Sequence, residues 1–441
     1  MKVCIIGAGD AGAIAALQIR RLNSEAQIDV FSKRQELGCN PCEIPLVLSG
    51  AVNKWEDLYR GYRVASFYEK RNIELHLNTE VTDILKDEKR IVANGERYGY
   101  DKAVLALGAT PIVPSFSGLD SRSEFALSTD ITDGRTLGDA IVKHSSVAII
   151  GGGFIALEVA EALKGRGYSR VYLLVRRNIM RAHLDEDIAE KLKQVLVERG
   201  VDLILPARIE RISSKNGKKR VILSDRELEI DFIFFGAGAE PNVKLAQESG
   251  LEIGKTGGIV VNPHLQTSDP DIYATGDCME NWDMIIGSKR RHQLATNAVR
   301  TGYIAGRNII LDNKISYGGT AMPLVTKIFD YQVGAVGFTE REAREKGIQT
   351  TSTMVNTPYL REPRGGKPAW YKLIAEPKTQ TLIGAQLISE EIVSGTIDKL
   401  AVAIASKMPI ARLVQIDSCY SPHVQEDQVA VPLQRLIDKL G

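Results

Sequence analysis

The feature that most constrains this chain is a glycine pattern that occurs twice. Gly7-x-Gly9-x-x-Gly12 follows an apolar run at residues 3–6, and Gly151-x-Gly153-x-x-Ala156 follows another at residues 146–150. A stretch of helical composition comes next in each case (13–22 and 155–164), then a second apolar run (28–31 and 171–175). Short apolar runs of this kind read as buried parallel strands. The first glycine makes a tight turn, the second admits a pyrophosphate against the backbone, and the third position, Gly or Ala, lets helix and strand pack closely. The helix start then offers free N–H groups and a positive dipole end to the phosphates. Two such units roughly 145 positions apart form a repeat at domain scale and predict an α/β fold with two Rossmann-like dinucleotide-binding domains.

Two further apolar segments, 103–108 and 232–238, end in glycine and are soon followed by Pro111 and Pro241. They read as points where the chain passes between domains. Beyond about residue 320 the character changes. Strand-like runs at 335–338 and 381–388 and a helix at 393–406 carry no glycine fingerprint, which predicts a third, α+β domain. The length of 441 residues suits three domains of ~150 residues. A net charge of +1 gives no footing for a nucleic acid partner. No apolar run reaches the ~18 residues of a membrane span, so no membrane partner is expected. The apolar N-terminus is broken by Asp10 and the glycine spacing, unlike a signal peptide. Five thinly spread cysteines argue against a disulfide framework and for a reducing, cytoplasmic compartment. No metal site is expected.

The second strand of such a unit usually ends in an acid that binds the ribose hydroxyls. Here the first unit has Ser32, then Lys33 and Arg34. In the second unit Val175 is followed by Arg176 and Arg177, with Arg181 nearby. Arginines can clamp a 2′-phosphate through paired N–H donors, so the pattern leans to NADPH, or to both coenzymes. A solvated basic patch is the plain alternative. In Ala274-Thr275-Gly276-Asp277 an acid ends a buried strand beside glycine. It is placed to hold a sugar-alcohol chain, or to cap a helix.

The series GAGDAG, ALGATP, GGGFIALE, GAGAEPN and YATGDC, in that order, resembles the pyridine nucleotide–disulfide oxidoreductases along the whole chain. The resemblance implies an FAD-binding domain over 1–110 and 239–320, an NAD(P)H-binding domain over 111–238, and a C-terminal α+β dimerisation domain over 321–441. It places FAD on Gly7, Gly9, Gly12 and Asp277; Ser32 and Lys33, at the end of the second strand, then fall at the ribose end by the strand-end reading above. It places NAD(P)H on Gly151, Gly153 and Arg176, to which the strand-end reading adds Arg177, and Glu158 close to the flavin–nicotinamide contact.

No CxxxxC pair is present. The segment Cys39-Asn40-Pro41-Cys42-Glu43-Ile44-Pro45 is instead similar to the single-cysteine branch of coenzyme A disulfide reductases, NAD(P)H sulfur or persulfide reductases, and NADH oxidases and peroxidases. Cys42 stands at that branch's catalytic thiol. Cys39 at CxxC spacing either joins it in a short redox disulfide or lines the segment. At a pKa of ~8.5 only about 3% of a thiol is ionised at pH 7, so a reactive Cys42 needs its pKa lowered. A helix starting within 44–48 is the expected source. The function implied is NAD(P)H-driven reduction of a small disulfide, persulfide or polysulfide. The rivals are reduction of O2 or H2O2 with Cys42 cycling through sulfenic acid, and a redox-sensing flavoprotein with little turnover. The family's third domain makes a homodimer and sends residues into the partner's site. In Cys419-Tyr420-Ser421-Pro422-His423, similar to the branch's Tyr-Ala-Pro-Pro-like stretch, Tyr420 is the candidate proton donor or orienter. His423 reads as an acid–base group or a surface histidine, and Cys419 as a buried small residue. Where the branch has paired tyrosines, this chain has Tyr359-Leu360-Arg361 and a basic Arg364-Gly365-Gly366-Lys367 loop.

Overall fold

The first apolar run forms the strand Lys2–Ile6 at the centre of a five-stranded sheet. The structure, a computed structural model, describes residues 1–59, 61–119, 131–215, 217–358, 365–419, 421 and 429–440. Val3 to Ile6 are all buried, as a parallel strand covered on both faces requires. The sheet order is Ile272–Ala274, Lys102–Leu105, Lys2–Ile6, Gln27–Phe31, Glu74–His76, with every pairing parallel. Helix Asp10–Leu22 follows the first glycine turn.

The second unit repeats this plan. Its sheet runs Asp202–Ile204, Arg170–Leu174, Ser146–Ile150, Phe232–Phe235, again all parallel, and helix Phe154–Gly165 follows the second glycine turn. Each unit also carries a three-stranded antiparallel meander. The first is Val81–Leu85, Arg90–Ala93, Glu96–Gly99, and the second is Ile209–Lys215, Lys218–Leu223, Glu227–Ile230. The repeat thus extends well past the glycine pattern. The two expected crossing points pair with each other. Strands Ala109–Pro111 and Ala239–Pro241 form an antiparallel ribbon, and Ile272–Ala274 then rejoins the first sheet.

The third part is a five-stranded antiparallel sheet in the order Leu324–Ile328, Tyr331–Gly337, Thr381–Ser389, Ala369–Glu376, Thr351–Asn356. Helices Ser394–Ala405 and Ala430–Leu440 pack on it through Ile397, Leu400, Leu433 and Leu436. The architecture is the expected one: two Rossmann-like α/β units and an α+β C-terminal domain. Tyr420, His423, Tyr359, Leu360, Arg361 and Arg364 lie outside the described residues. Cys419 departs from expectation. It is exposed, because the chain past helix Ile410–Leu413 runs along the surface. Among the described residues no helix is long and apolar enough to cross a membrane, and no group of side chains could hold a metal ion.

Helix Ala295–Leu311 lies directly on the backbone of helix Asp10–Leu22. A Cβ at Gly302 would stand 2.3 Å from the Ala11 carbonyl oxygen, and one at Gly306 2.5 Å from that of Ala15. Glycine inside a helix costs about 1 kcal/mol relative to alanine, so these two positions trade propensity for contact. Gly302→Ala is expected to lower stability by about 1–3 kcal/mol, because backbone cannot yield as a side chain would. Urea unfolding measures it, and a gain in stability would contradict the packing.

Candidate active site

The two glycine turns leave similar openings. Gly9 precedes helix Asp10–Leu22 in extended conformation with no side-chain cap, and nothing lies within 4 Å of where its Cβ would stand. Gly153 does the same for helix Phe154–Gly165. Both helix starts therefore point uncapped N–H groups at open space. The other glycines are filled by backbone. Gly7 has φ +112°, and its Cβ would meet the Ala106 carbonyl oxygen at 2.1 Å; a Cβ at Gly12 would be 1.9 Å from the Gly7 carbonyl oxygen. Gly151 has φ +137° and faces the Gly236 carbonyl oxygen at 2.1 Å. Gly236 itself lies under Ala156, 2.7 Å from Cβ to Cβ if it had one. An alanine in the third position thus fits because the neighbouring strand ends in glycine. The sequence signal was the Gly directly after FIFF, read only as a turn.

Asp277 sits in the short turn Gly276–Cys278 after strand Ile272–Ala274, and that turn abuts the first helix, with a Cβ at Gly276 3.0 Å from that of Ala11. It caps no helix. Its Oδ1 is buried without a partner, as are Thr275 Oγ1 and Arg63 Nη1 nearby. Burial, and then Asp10, push the Asp277 carboxyl up to about 6. Buried polar atoms without partners are rare in finished structures. The Asp277 turn abuts Ala11 and Arg63 pairs with Asp10, both at the start of the helix after Gly9, so these groups fit a bound polar dinucleotide there, and the residues present suit FAD. Ser32 is buried and its Oγ accepts from the Arg34 amide at 3.3 Å, while Lys33 points outward, 3.9 Å from Glu80.

The cysteine segment is held from both sides. The turn Pro41–Glu43 runs into helix Ile44–Ser49, with a proline in its first turn. At the far end Arg166, from the second unit, donates to the Leu48 carbonyl at 2.7 Å and the Val47 carbonyl at 3.2 Å, satisfying orphan groups of the helix terminus. Ile44, Val47 and Leu48 share a core with Leu137, Leu157 and Leu163 of that unit. At the near end Arg63 donates to Asn40 Oδ1 at 2.5 Å and pairs with Asp10, the first residue of the phosphate-binding helix. Tyr62 OH also donates to Asp10 Oδ1, at 3.0 Å. Sequence reasoning missed Arg63 and Arg166. Neither stands in a motif, and only folding brings them to the segment.

Cys42 is exposed and Cys39 is sealed in the core beside Ile44 and Leu58; both are free thiols. The expected lowering of the Cys42 pKa does not come from the chain. Desolvation, then Glu43, Glu158 and Asp10, push it up to about 11, and its own backbone N–H opposes them. Desolvation and three carboxylates outweigh that one hydrogen bond. Cys39 is also pushed up to about 11, by burial. Glu158 projects from helix Phe154–Gly165 towards the third domain. Its Oε1 accepts from Thr326 Oγ1 at 2.6 Å, its Oε2 is buried without a partner, and burial raises its pKa. Arg176 and Arg177 follow strand Arg170–Leu174 on the surface.

The family model "Pyridine nucleotide-disulphide oxidoreductase" matches residues 1–302, and the dimerisation-domain model of the same family matches residues 324–431. The chain belongs to the pyridine nucleotide-disulphide oxidoreductase family. It is an NAD(P)H-dependent flavoprotein oxidoreductase, of the kind that depends on FAD. An NADH oxidase of Methanocaldococcus jannaschii is 32% identical over 96% of this chain and 95% of its own. A CoA-dependent NAD(P)H sulfur oxidoreductase of Pyrococcus abyssi is 34% identical over 95% of this chain and 94% of its own. The solved NAD-dependent persulfide reductase of A. fulgidus aligns with a TM-score of 0.95 at 29% identity, covering 100% of this chain and 83% of that one.

A buried acid whose folded pKa lies above the ~3.9 of an unfolded aspartate withdraws stability as pH rises through the interval between the two. With Asp277 at about 6, that interval is roughly pH 4 to 6. Asp277→Asn is expected to stabilise the flavin-free protein over wild type by about 1–3 kcal/mol near pH 7.5, by much less near pH 4.5, and to weaken FAD retention. Urea unfolding at both pH values checks this; an equal difference at the two would count against it.

Proposed function

We propose that this enzyme uses NAD(P)H to reduce a small sulfur compound, a disulfide, persulfide or polysulfide, at Cys42. The observation that carries the reading is an exposed thiol at the head of a helix pinned by Arg166 to one dinucleotide unit and by Arg63 to the other. The sulfur oxidoreductase of Pyrococcus abyssi and the persulfide reductase of A. fulgidus support a sulfur acceptor. FAD, when bound, supplies the two-electron relay between nicotinamide and sulfur. Cys42 Sγ, as thiolate, attacks one sulfur of the acceptor RS–SR′, so that an S–S bond forms at Cys42 and RS⁻ leaves. Two electrons from NAD(P)H then cleave that bond, R′S⁻ leaves, and Cys42 returns to thiolate. The sum is NAD(P)H, H⁺ and RS–SR′ to NAD(P)⁺, RSH and R′SH. Glu43, Glu158 and Asp10 set the charge that the thiolate meets. Cys39, buried, lines the segment rather than exchanging with substrate.

The return of Ile272–Ala274 to the first sheet supports a division into 1–110 with 239–320, 111–238, and 321–441. The functional unit in this reading is a homodimer. Ile392, Val402, Val414, Ile416 and Val431 expose apolar surface on the C-terminal domain, and Tyr420 orients or protonates the leaving thiolate in the partner's site. Arg176 and Arg177 tilt coenzyme use towards NADPH. Five thinly spread cysteines suit a reducing cytoplasm. A second reading has support in the NADH oxidase relative: the same thiol cycles through sulfenic acid and the acceptor is oxygen.

The test is an acceptor panel of CoA disulfide, a persulfide, polysulfide and O2, each with NADH and NADPH. Cys42→Ser is expected to lower turnover with every sulfur acceptor by about 1,000-fold or more, while reduction of bound FAD by coenzyme persists. Sulfur turnover that survives in Cys42→Ser sinks the proposal, and oxygen uptake exceeding every sulfur rate selects the second reading.

A further inference from the structure

The loop after strand Arg170–Leu174 folds back on the second glycine turn, with the Met180 amide donating to the Gly152 carbonyl at 2.6 Å. Arg176, Arg177 and Arg181 are thereby gathered where the adenosine ribose of a dinucleotide lies in such a unit. A fourth arginine comes from another domain. Arg341, on helix Glu340–Glu345 of the C-terminal domain, donates from Nη2 to the Arg181 carbonyl at 2.9 Å. That helix is fixed to the second unit by Asp185, whose carboxylate accepts from the Glu340 amide at 3.1 Å and from Gln386 Nε2 at 2.8 Å. Glu345, one turn on, pairs with Arg341 at 2.8 Å and lies 3.9 Å from Arg181. The arginines repel one another. Burial, Arg341, Arg177 and Arg176 lower the Arg181 pKa while Glu345 raises it, and Arg341, with Arg181 and Arg177, holds the Glu345 carboxyl below its usual range.

We propose that Glu345 is a built-in counter-ion for a 2′-phosphate site completed by Arg341, so that coenzyme choice is set partly by the dimerisation domain. The inference rests on the NADPH-leaning reading of Arg176 and Arg177. With NADH bound, Glu345 supplies the negative charge among Arg181, Arg177 and Arg341. With NADPH bound, the phosphate takes those donors and Glu345 is turned out to water. Both Arg341 and Glu345 are specificity residues, remote from the hydride.

The experiment is calorimetric binding of 2′,5′-ADP and of 5′-AMP to the flavin-loaded full-length enzyme, in wild type, Glu345→Gln and Arg341→Gln. The affinity ratio of 2′,5′-ADP to 5′-AMP is expected to rise about 3–10-fold in Glu345→Gln and to fall by a similar factor in Arg341→Gln, with 5′-AMP affinity unchanged. Added salt should compress the wild-type ratio. A ratio constant within about twofold across the three proteins overturns the inference. The coenzyme reading fails separately: it falls if wild type shows no preference for 2′,5′-ADP. The counter-ion role still stands if Glu345→Gln then creates that preference, and it falls if the variant creates none.

Discussion

Everything in this molecule depends on backbone touching backbone at the two glycine turns. Where Gly7 meets Ala106 and Gly151 meets Gly236, no side chain intervenes, so each helix can begin directly beneath the end of its strand. That geometry leaves Gly9 and Gly153 uncapped and facing open space. A helix start in that state binds anions because its N–H groups have no other partner. The same economy of side chains recurs between helices Asp10–Leu22 and Ala295–Leu311, through Gly302 and Gly306, and it brings the Asp277 turn against Ala11. The dinucleotide cradle is thus a consequence of packing density.

What was legible in the sequence was whatever local chemistry fixes. The parallel strands were readable because a strand covered on both faces must be apolar throughout, and the glycines because only they fit the close approaches. The helix after Cys42 was readable from Pro45 and the apolar run behind it. The contributions that hold the site together were not. Arg63 and Arg166 reach the cysteine segment from 21 and 124 positions along the chain from Cys42 (63 − 42 and 166 − 42), in stretches with no motif. Arg341 and Glu345 meet Arg181 only because a helix of the third domain docks on the second unit. Cys419 failed for a related reason: its burial depended on the path of a surface segment that local composition does not set.

Charge was the least legible property. The backbone N–H of Cys42 pulls its thiol towards ionisation, yet desolvation together with Glu43, Glu158 and Asp10 carries it the other way. Each of those carboxylates comes from a different element. Asp10 is also paired with Arg63, so the field at the thiol depends on how firmly that pair is held. The protein's own contribution is therefore a site rich in negative charge, around which a thiolate is favoured only by what else is present.

The ribbon formed by Ala109–Pro111 and Ala239–Pro241 gives the intervening stretch a shared doorway. A segment whose two ends leave its host side by side can be lengthened, shortened or replaced without disturbing the frame that carries it. A different nucleotide-reading segment joined at this one seam would therefore need only the outward contacts of the present one: an arginine to grip the end of the cysteine helix, and the bonds that Glu158 and Asp185 make with the third domain.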